Sequence, residues 1–379
     1  MNGKPLSLNV QMLLTDGFGG FGGIAKFNRD FLEALDSCPL IERVHALPRL
    51  IPDRFDDVIP ESIVYDRAAA GGKTAFLRRL LAHARKDDRV DIVVCGHLNL
   101  LPVAWLCARR HGARLAAVIH GIDAWSSRTF GLTRRFTERV DAYIAVSQHT
   151  AGKFMAWSRV PKDRVVILPN CVDLNRFRPQ DRDPGLTDRY GLQSSKVIMT
   201  VGRLASRERY KGFDEVIDIL PRLSTQVPRL KYLIVGDGPD RPRLEAKARS
   251  LGVSDQVVFA GRISEVEKSA HYNLADAYVM PSSGEGFGIV LIEAAACGVP
   301  VVGSCMDGSR EALLGGRLGR LVDPNRPGEL VDAILAAFRA RARSRRNAEI
   351  EVFSSDNFKR RVAAWIGQMV HAVEPLRLC

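Results

Sequence analysis

The sequence predicts an α/β protein built from two doubly wound parallel sheets, one in each half of the chain. Short runs rich in Val, Ile and Leu alternate with longer amphipathic segments from end to end. These runs are apolar on both faces, which is typical of strands covered on each side by helices in a parallel sheet. The length of 379 residues suits two domains rather than one.

Strands and helices are predicted in alternation along the whole chain. In the first half the predicted strands are residues 6–14, 44–47, 91–95, 115–119, 142–146 and 165–168, and the predicted helices are residues 23–35, 73–84, 101–111 and 148–158. In the second half the predicted strands are residues 197–201, 232–235, 257–259, 277–280, 299–302 and 319–322, and the predicted helices are residues 212–223, 240–251, 287–296 and 328–342.

A polar segment rich in Pro and Gly, residues 176–195, is predicted to link two domains. We place an N-terminal domain at residues 1–178 and a C-terminal domain at residues 179–355. A last helix, residues 356–370, is predicted to pack back on the N-terminal domain. The basic run at residues 339–346 has a helical pattern and is interpreted as a solvated helix face.

The net charge of +12 predicts acidic partners. Most of the excess lies in the first half, where residues 1–178 hold 26 Lys and Arg against 18 Asp and Glu. A nucleotide donor, a phosphorylated acceptor and an anionic membrane face all fit that charge. Nucleic acid is not expected, because the chain has neither a recognition-helix pattern nor a basic strand interleaved with aromatic residues.

The seven cysteines are scattered and form no C-x-x-C pair or His/Cys cluster. This usage predicts reduced thiols in a cytoplasmic protein and no bound metal. No apolar run reaches the roughly 18 residues that a membrane span needs. The N-terminus shows no secretory signal, since residues 6–14 are short, interrupted by polar residues and read as a strand.

The stretch from Pro281 to Ala294 is the most informative motif. An apolar strand enters a turn that carries Glu285, a Gly-rich loop follows, and an apolar helix then contains Glu293. The start of a helix favours phosphate, whereas a carboxylate accepts hydrogen bonds from hydroxyl groups. The combination predicts a site for a nucleotide sugar. The alternative is a capped helix with two solvated glutamates.

Polar residues follow several other predicted strands, at the edge where ligands bind in open α/β sheets. Arg203 and Lys211 flank the first strand–helix connection of the second half, and together they can neutralise a pyrophosphate without a metal. Arg262 and Ile263 follow another strand and are predicted to present backbone groups to a base edge. The turn at residues 236–239, Gly-Asp-Gly-Pro, is predicted to contribute backbone contacts.

In the first half, a Gly-rich loop and a histidine also follow predicted strands. Residues 17–23 form a Gly-rich loop that includes Gly22 and Gly23, and its backbone can approach a ligand closely. His120 ends a strand and can hydrogen-bond a sugar hydroxyl or an acceptor. The alternatives are a flexible connection for the loop and a structural turn residue for the histidine.

These segments together resemble the retaining glycosyltransferases of family 4, which have the GT-B fold of two Rossmann-like domains facing across a cleft. The resemblance covers nearly the whole chain and includes the family's E-x7-E pattern, here Glu285 to Glu293. It rests on the segments Gly22-Gly23-Ile24, His120-Gly121, Ser147, residues 169–173, Gly202-Arg203, Lys211-Gly212, residues 236–239 and residues 285–293. Residues 205–210 make the spacing between Arg203 and Lys211 longer than in many members.

The resemblance implies a role for each matching position. Gly22 and Gly23 would approach the donor phosphate, Arg203 and Lys211 would hold the pyrophosphate, and Glu293 would bind the ribose. Glu285 and the backbone of Gly286, Phe287, Gly288 and Ile289 would hold the transferred sugar, and His120 would lie beside it. The first half would bind a saccharide or lipid-linked acceptor, with Asp123 as a candidate contact.

No residue is a clear candidate for a carboxylate nucleophile. The resemblance implies retention by attack on the same face, assisted by the leaving phosphate, and we adopt that as the working hypothesis. The helix at residues 73–86 is basic and amphipathic, and is interpreted either as a contact with the inner face of the cytoplasmic membrane or as an ordinary packed helix.

The alternative functions are a sugar-nucleotide epimerase of the same build and a non-catalytic binder of nucleotides or nucleic acid.

Overall fold

The structure of the protein is a computed structural model that describes residues 7–51, 58–85, 89–126, 131–340 and 346–371. The described residues form two compact units. The first comprises those within Met1–Cys171 and Ser355–Cys379, and the second comprises those within Val172–Ser354. Each unit is a doubly wound α/β sheet, and we describe the two in turn.

The described residues form two sheets, and the neighbouring strands within each sheet run parallel. They are β1 (Leu8–Leu14), β2 (Ile41–Pro48), β3 (Ile63–Tyr65), β4 (Ile92–Cys95), β5 (Arg114–Ile119), β6 (Ala142–Ala145), β7 (Val165–Ile167), β8 (Lys196–Val201), β9 (Leu230–Val235), β10 (Val257–Gly261), β11 (Ala277–Met280), β12 (Val301–Ser304) and β13 (Arg320–Val322). The first seven form one sheet in the order β3-β2-β1-β4-β5-β6-β7, and the other six form a second sheet in the order β10-β9-β8-β11-β12-β13.

The α-helices connect these strands and cover the two sheets. They are α1 (Gly23–Asp36), α2 (Lys73–Arg85), α3 (Leu101–His111), α4 (Gln148–Ser158), α5 (Pro184–Arg189), α6 (Phe213–Ser224), α7 (Arg241–Ser250), α8 (Lys268–Tyr272), α9 (Ile289–Ala296), α10 (Ser309–Ala312), α11 (Pro327–Arg339) and α12 (Ser355–His371). Short 3-10 helices, among them Ile122–Ala124 and Arg209–Lys211, complete the connections.

Each sheet carries its own apolar core. Strands such as β4, β6 and β11 are buried at every position, which explains their unbroken apolar sequence. In both sheets the strand order reverses direction next to the first strand of the unit, β1 or β8. Ligand sites in doubly wound sheets lie beyond the carboxyl ends of the strands at such a reversal.

Helix α12 returns to the first unit and packs on α1. The ring of Phe358 meets that of Phe27 edge to face with centroids 5.8 Å apart, and Trp365 lies 5.8 Å from Phe31. The helix α1 buries Phe27, Phe31 and Leu35, whose spacing of four residues places them on one face. The contact therefore joins two apolar helix faces that are far apart in the sequence.

The predicted parallel α/β fold is confirmed, with local differences. Strand β3 and the short helices α5, α8 and α10 were not predicted, and α5 lies inside the segment interpreted as a polar linker. The helix predicted from residue 287 begins two residues later because Gly288, at φ 95°, is left-handed. The helix predicted at residues 328–342 ends at Arg339, and residues 341–345 of the basic run lie outside the described residues.

None of the helices in the described ranges is long and apolar enough to cross a membrane.

Candidate active site

The turn between β11 and α9 is fixed by a second segment that packs beneath it. Asp307 Oδ2 accepts a hydrogen bond from the Glu285 backbone N–H at 2.8 Å and another from the Ser282 hydroxyl at 2.7 Å. Gly308 fits closely under the turn, since a Cβ there would lie 2.1 Å from the Gly286 carbonyl oxygen. The turn is thus held in place before any ligand arrives, which reduces the cost of ordering it.

Glu293 lies on α9 and is fully buried. Its Oε2 accepts a hydrogen bond of 2.7 Å from the Tyr272 hydroxyl, while its Oε1 lies 3.6 Å from Lys268 Nζ. No hydrogen bond reaches Oε1 from the residues that the structure describes. A buried carboxylate oxygen without a donor is costly, so this atom is prepared to accept a hydrogen bond from a ligand.

Lys211 and Glu285 form an ion pair between the segments that follow β8 and β11. Lys211 Nζ lies 2.7 Å from Glu285 Oε1, and both side chains are mostly buried. Burial acts to lower the pKa of Lys211, but its neighbours Glu285, Tyr210 and Glu208 together outweigh burial and the pKa is raised. The ammonium is therefore charged at neutral pH, and it faces two carboxylates, Glu285 at 2.7 Å and Glu208 at 3.9 Å.

Three glycines bring the three chain segments of this site together. A Cβ on Gly212, at φ 87°, would lie 2.7 Å from Pro281, and one on Gly284 would lie 2.7 Å from the Tyr210 ring. A Cβ on Gly236 would meet the Gly202 carbonyl oxygen at 1.9 Å. The segments after β8, β9 and β11 are consequently in direct backbone contact.

The remaining residues predicted in the second unit lie around the same strand ends. Arg203 is exposed, and its guanidinium contacts the Glu208 carboxylate. Arg262 is exposed and Ile263 half-buried, directly after β10. The end of β10 is tied to that of β9, because the Gly236 N–H donates to the Gly261 carbonyl oxygen at 2.8 Å. Phe287 is buried against Phe353, with ring centroids 5.4 Å apart.

In the first unit, the Gly-rich loop leads directly into α1. Gly22 and Gly23 are exposed, and Gly22 has a φ of 91° that favours glycine. Arg29, in the second turn of α1, donates to the Gly20 carbonyl oxygen at 2.8 Å and so holds the loop against its helix. The exposed start of α1 offers backbone N–H groups to an anion.

His120 and Asp123 lie in a cluster with His97, which follows β4. His120 Nε2 donates to the Gly96 carbonyl oxygen at 2.8 Å, so the neutral ring carries its hydrogen on Nε2. His97 Nδ1 accepts from the Asn99 N–H at 3.2 Å, which leaves its Nε2–H directed to Asp123 Oδ2, 3.6 Å away. The two imidazole centroids are 6.4 Å apart.

Burial controls the protonation of this cluster. It lowers the pKa of His120 to about 3 and, with a contribution from Arg49, that of His97 to about 4. It raises the pKa of Asp123 to about 7. Both histidines are therefore neutral at physiological pH, and Asp123 titrates close to it.

The described ranges contain no group of three or more His, Cys, Asp or Glu side chains that could hold a metal ion.

Two family matches divide the chain between them. The family described as Glycosyltransferase Family 4 matches residues 21–176, and the family described as Glycosyl transferases group 1 matches residues 188–351. A GDP-mannose-dependent α-(1-6)-phosphatidylinositol monomannoside mannosyltransferase of Mycolicibacterium smegmatis is 39% identical over 263 residues, which are 66% of this chain and 67% of that protein. The protein of the same name from Mycobacterium tuberculosis is 30% identical over 343 residues, covering 83% of this chain and 84% of that protein.

The chain belongs to glycosyltransferase family 4. Solved structures of this glycosyltransferase's fold include sucrose-phosphate synthase from Thermosynechococcus elongatus, with a TM-score of 0.76 at 20% identity over 96% of this chain and all of that one. Anabaena Alr3699/HepE, in complex with UDP and glucose, gives a TM-score of 0.74 at 19% identity over 95% of this chain and all of that one. The fold is GT-B, and the enzyme is a hexosyltransferase.

In this glycosyltransferase, the strand-end motifs of the sequence fall into two groups, one in each unit. In the second unit Lys211 pairs with Glu285 in the turn before α9, Arg203 is linked to Lys211 through Glu208, and Glu293 lies within α9. In the first unit His120 and Asp123 lie together beside His97. Sequence reasoning missed His97 and Glu208. The pattern of His97 could have revealed it, because an apolar strand followed by Gly96-His97 resembles the strand that ends at His120.

Proposed function

We propose that this enzyme transfers a hexose from a nucleoside-diphosphate sugar to a saccharide or lipid-linked acceptor, with retention of configuration and without a metal ion. The observation that carries the proposal is the arrangement around α9. A lysine and a carboxylate, Lys211 and Glu285, flank the turn that starts the helix, and the buried Glu293 within it keeps one oxygen without a hydrogen-bond donor. That set suits a ligand with an anionic centre and hydroxyl groups on both sides.

Each part of the donor then has a partner in the second unit. Arg203 and Lys211 neutralise the diphosphate, aided by the backbone N–H groups where α9 begins. Glu285 accepts from a hydroxyl of the transferred sugar, next to the backbone of Gly286 and Gly288. Glu293 Oε1 accepts from a ribose hydroxyl, and the segment at Arg262 and Ile263 contacts the base.

The proposed chemistry uses the leaving phosphate as the base. The acceptor oxygen bonds to the anomeric carbon on the face from which the diphosphate departs, and the carbon–oxygen bond to the phosphate breaks. The acceptor proton moves to a phosphate oxygen. Positive groups placed where charge develops on the leaving group supply the main stabilisation of the transition state, so Arg203 and Lys211 carry that task in place of a divalent cation.

His120 is suited to hydrogen bonding rather than to proton transfer. Its Nε2–H is used by the Gly96 carbonyl oxygen, and burial keeps the ring neutral, so Nδ1 is an acceptor nitrogen. We assign it to a hydroxyl of the reacting sugar. Gly22 and Gly23 are assigned to the donor phosphate, and Asp123, oriented by His97, to the acceptor.

GDP-mannose is the first donor to test, because the mannosyltransferases that are 39% and 30% identical to this chain are named for it. Their names give phosphatidylinositol monomannoside as acceptor, and a Geodermatophilus obscurus protein 34% identical over 187 residues, 47% of this chain and 41% of that protein, is named a D-inositol 3-phosphate glycosyltransferase. Inositol phosphates and their lipids are therefore the first acceptors to test, followed by the saccharides of bacterial polysaccharide assembly.

Helix α2 supports contact with a lipid surface. It carries Lys73 and Arg78 together with Leu77 and Leu81, whose side chains are 46% and 58% exposed. Exposed leucines four residues apart lie on one face of the helix, and basic residues beside them favour an anionic bilayer. We propose a cytoplasmic enzyme that binds the inner face of the membrane through this helix.

A matrix of donors and acceptors tests the function. GDP-mannose and UDP-hexoses are each incubated with inositol phosphate, phosphatidylinositol lipids or no acceptor, and nucleotide release is measured with and without EDTA. Release of nucleotide that depends on acceptor and survives EDTA, with an α-anomeric product by NMR, is expected. Isomerised sugar without nucleotide release would favour an epimerase instead, and activity lost in EDTA would overturn the metal-free scheme.

A further inference from the structure

The loop between β8 and α6 carries an acidic residue where the donor phosphates are expected. Glu208 Oε1 contacts the Arg203 guanidinium, and Glu208 Oε2 lies 3.9 Å from Lys211 Nζ. The Glu208 side chain is mostly buried, and Oε2 has no hydrogen-bond donor among the described residues. One carboxylate thus faces both cations that the proposed function assigns to the diphosphate.

The loop that carries Glu208 is tied down on both sides. Arg209 contacts Asp240 at 3.3 Å, and the Ser283 N–H donates to the Tyr210 carbonyl oxygen at 2.8 Å. The Lys211 N–H donates to the Glu208 carbonyl oxygen at 3.2 Å. The backbone of Glu208 is therefore positioned, and only its side chain has to rotate for the carboxylate to leave Arg203.

The charges of these four side chains balance. Arg203 and Lys211 face Glu208 and Glu285, two cations against two carboxylates. A diphosphate cannot occupy the cationic side of this set while Glu208 remains there, because like charges at such distances repel. Glu285 is needed at the sugar, so Glu208 is the carboxylate that has to move.

We propose that Glu208 competes with the diphosphate for Arg203 and Lys211, and that it discriminates between the sugar-bearing donor and the free nucleoside diphosphate. The inference rests on the proposed function, since it needs these two cations to hold the diphosphate. In the donor the terminal phosphate is esterified and carries one charge, whereas in the product it is free and approaches two at neutral pH. Glu208 opposes the more highly charged product more strongly, and its return to Arg203 promotes product release.

The test measures binding of GDP, UDP and the matching nucleotide sugars by calorimetry at low and high salt. Glu208→Gln keeps the shape of the side chain and removes its charge. The affinity for the free diphosphate is expected to rise about three- to tenfold, and the affinity for the nucleotide sugar by at most half that factor. The gain should shrink at high salt. Glu329→Gln, a surface carboxylate on α11 paired with Arg326, is the matched control and should change neither.

The outcomes separate this inference from the proposed function. Equal tightening of both ligands, or none, would overturn the discrimination assigned to Glu208, provided that Arg203→Ala weakens diphosphate binding. If Arg203→Ala leaves binding unchanged, the phosphate site itself is misplaced and the proposed function fails with it. Glu208→Ala serves as a second variant, and thermal unfolding checks that both variants remain folded.

Discussion

Lys211 Nζ lies 2.7 Å from Glu285 Oε1, although the two residues are 74 positions apart in the chain. The pair joins the connection after β8 to the turn before α9. In the proposed function Lys211 binds the phosphate and Glu285 binds the sugar, on either side of the sugar–phosphate bond that breaks. The ion pair therefore fixes, before the donor arrives, the distance between the two groups that must act together.

Arg203→Ala and Lys211→Ala should each lower turnover by about a hundred- to a thousandfold, as expected when a contact to the developing charge is lost. Arg203 is exposed, so its removal should change the free energy of unfolding by less than about 1 kcal/mol. Steady-state kinetics and urea unfolding measure the two effects. Arg317→Ala is the control, because Arg317 is equally exposed and is also paired with a glutamate, Glu349. Near-normal turnover in either variant would remove that residue from the phosphate site.

Glu285→Ala should nearly abolish transfer while leaving nucleotide binding intact. The variant loses the acceptor for a sugar hydroxyl, but it also frees Lys211 from its ion pair, so the free diphosphate should bind at least as tightly as in the parent. Turnover and calorimetric binding of the nucleoside diphosphate separate the two effects. Retained transfer, or nucleotide affinity lost in parallel with transfer, would contradict the assignment of Glu285 to the sugar.

Glu293→Gln should weaken the preference for a ribose over a 2′-deoxyribose. The parent should bind GDP or UDP about tenfold or more tightly than the 2′-deoxy nucleotide, because a hydrogen bond to a charged group is lost in the latter. In the variant, the two affinities should approach each other. Tyr272→Phe removes the hydroxyl that holds Glu293 Oε2 and should reduce the preference partly. An unchanged ratio in Glu293→Gln would place the ribose elsewhere.

The His97, His120 and Asp123 cluster predicts the pH dependence of stability. Burial lowers the pKa of His97 to about 4 and of His120 to about 3, so between pH 4 and 6.5 the folded protein binds fewer protons there than the unfolded chain. The free energy of unfolding contributed by the histidines then rises with pH, by up to about 1.4 kcal/mol per unit for each proton. Asp123, with its pKa raised to about 7, contributes the opposite slope between pH 4 and 7.

Asp123→Asn should therefore make the free energy of unfolding rise more steeply between pH 4 and 6.5. Urea unfolding at a series of pH values measures the slope for parent and variant. A variant with a slope equal to or shallower than that of the parent would show that Asp123 does not hold its proton in the folded protein.

Replacing Leu77 and Leu81 together by Ser should reduce sedimentation with anionic vesicles at low salt, since both side chains are exposed and their loss removes apolar area from the contact. The matched control is Leu106→Ser on α3, where the leucine is 57% exposed. Equal sedimentation of parent and double variant would show that this face of α2 is exposed to water and does not contact lipid.

The sequence predicted the elements whose pattern is local, and missed what depends on tertiary contacts. Strands such as β11 are apolar throughout and bounded by turn residues, so their position was predictable. Strand β3 has three residues and exists only because β2 pairs with it, and no sequence periodicity signals so short an element.

The same limit applies to the site. The E-x7-E spacing identified Glu285 and Glu293, but neither the full burial of Glu293 nor the lack of a hydrogen-bond donor to its Oε1 follows from spacing. Glu208 lies in the loop that was noted only for its length, and its importance depends on the side chains that it meets after folding.

The packing of α12 on Phe27 and Phe31 has a consequence for synthesis. Helix α12 follows the whole of the second unit in the sequence, so a ribosome completes every residue of that unit before it supplies the helix that covers these two rings. In the nascent protein the rings of Phe27 and Phe31 therefore remain uncovered until α12 is made. A product stopped at residue 354 would leave them permanently accessible to chaperones and proteases.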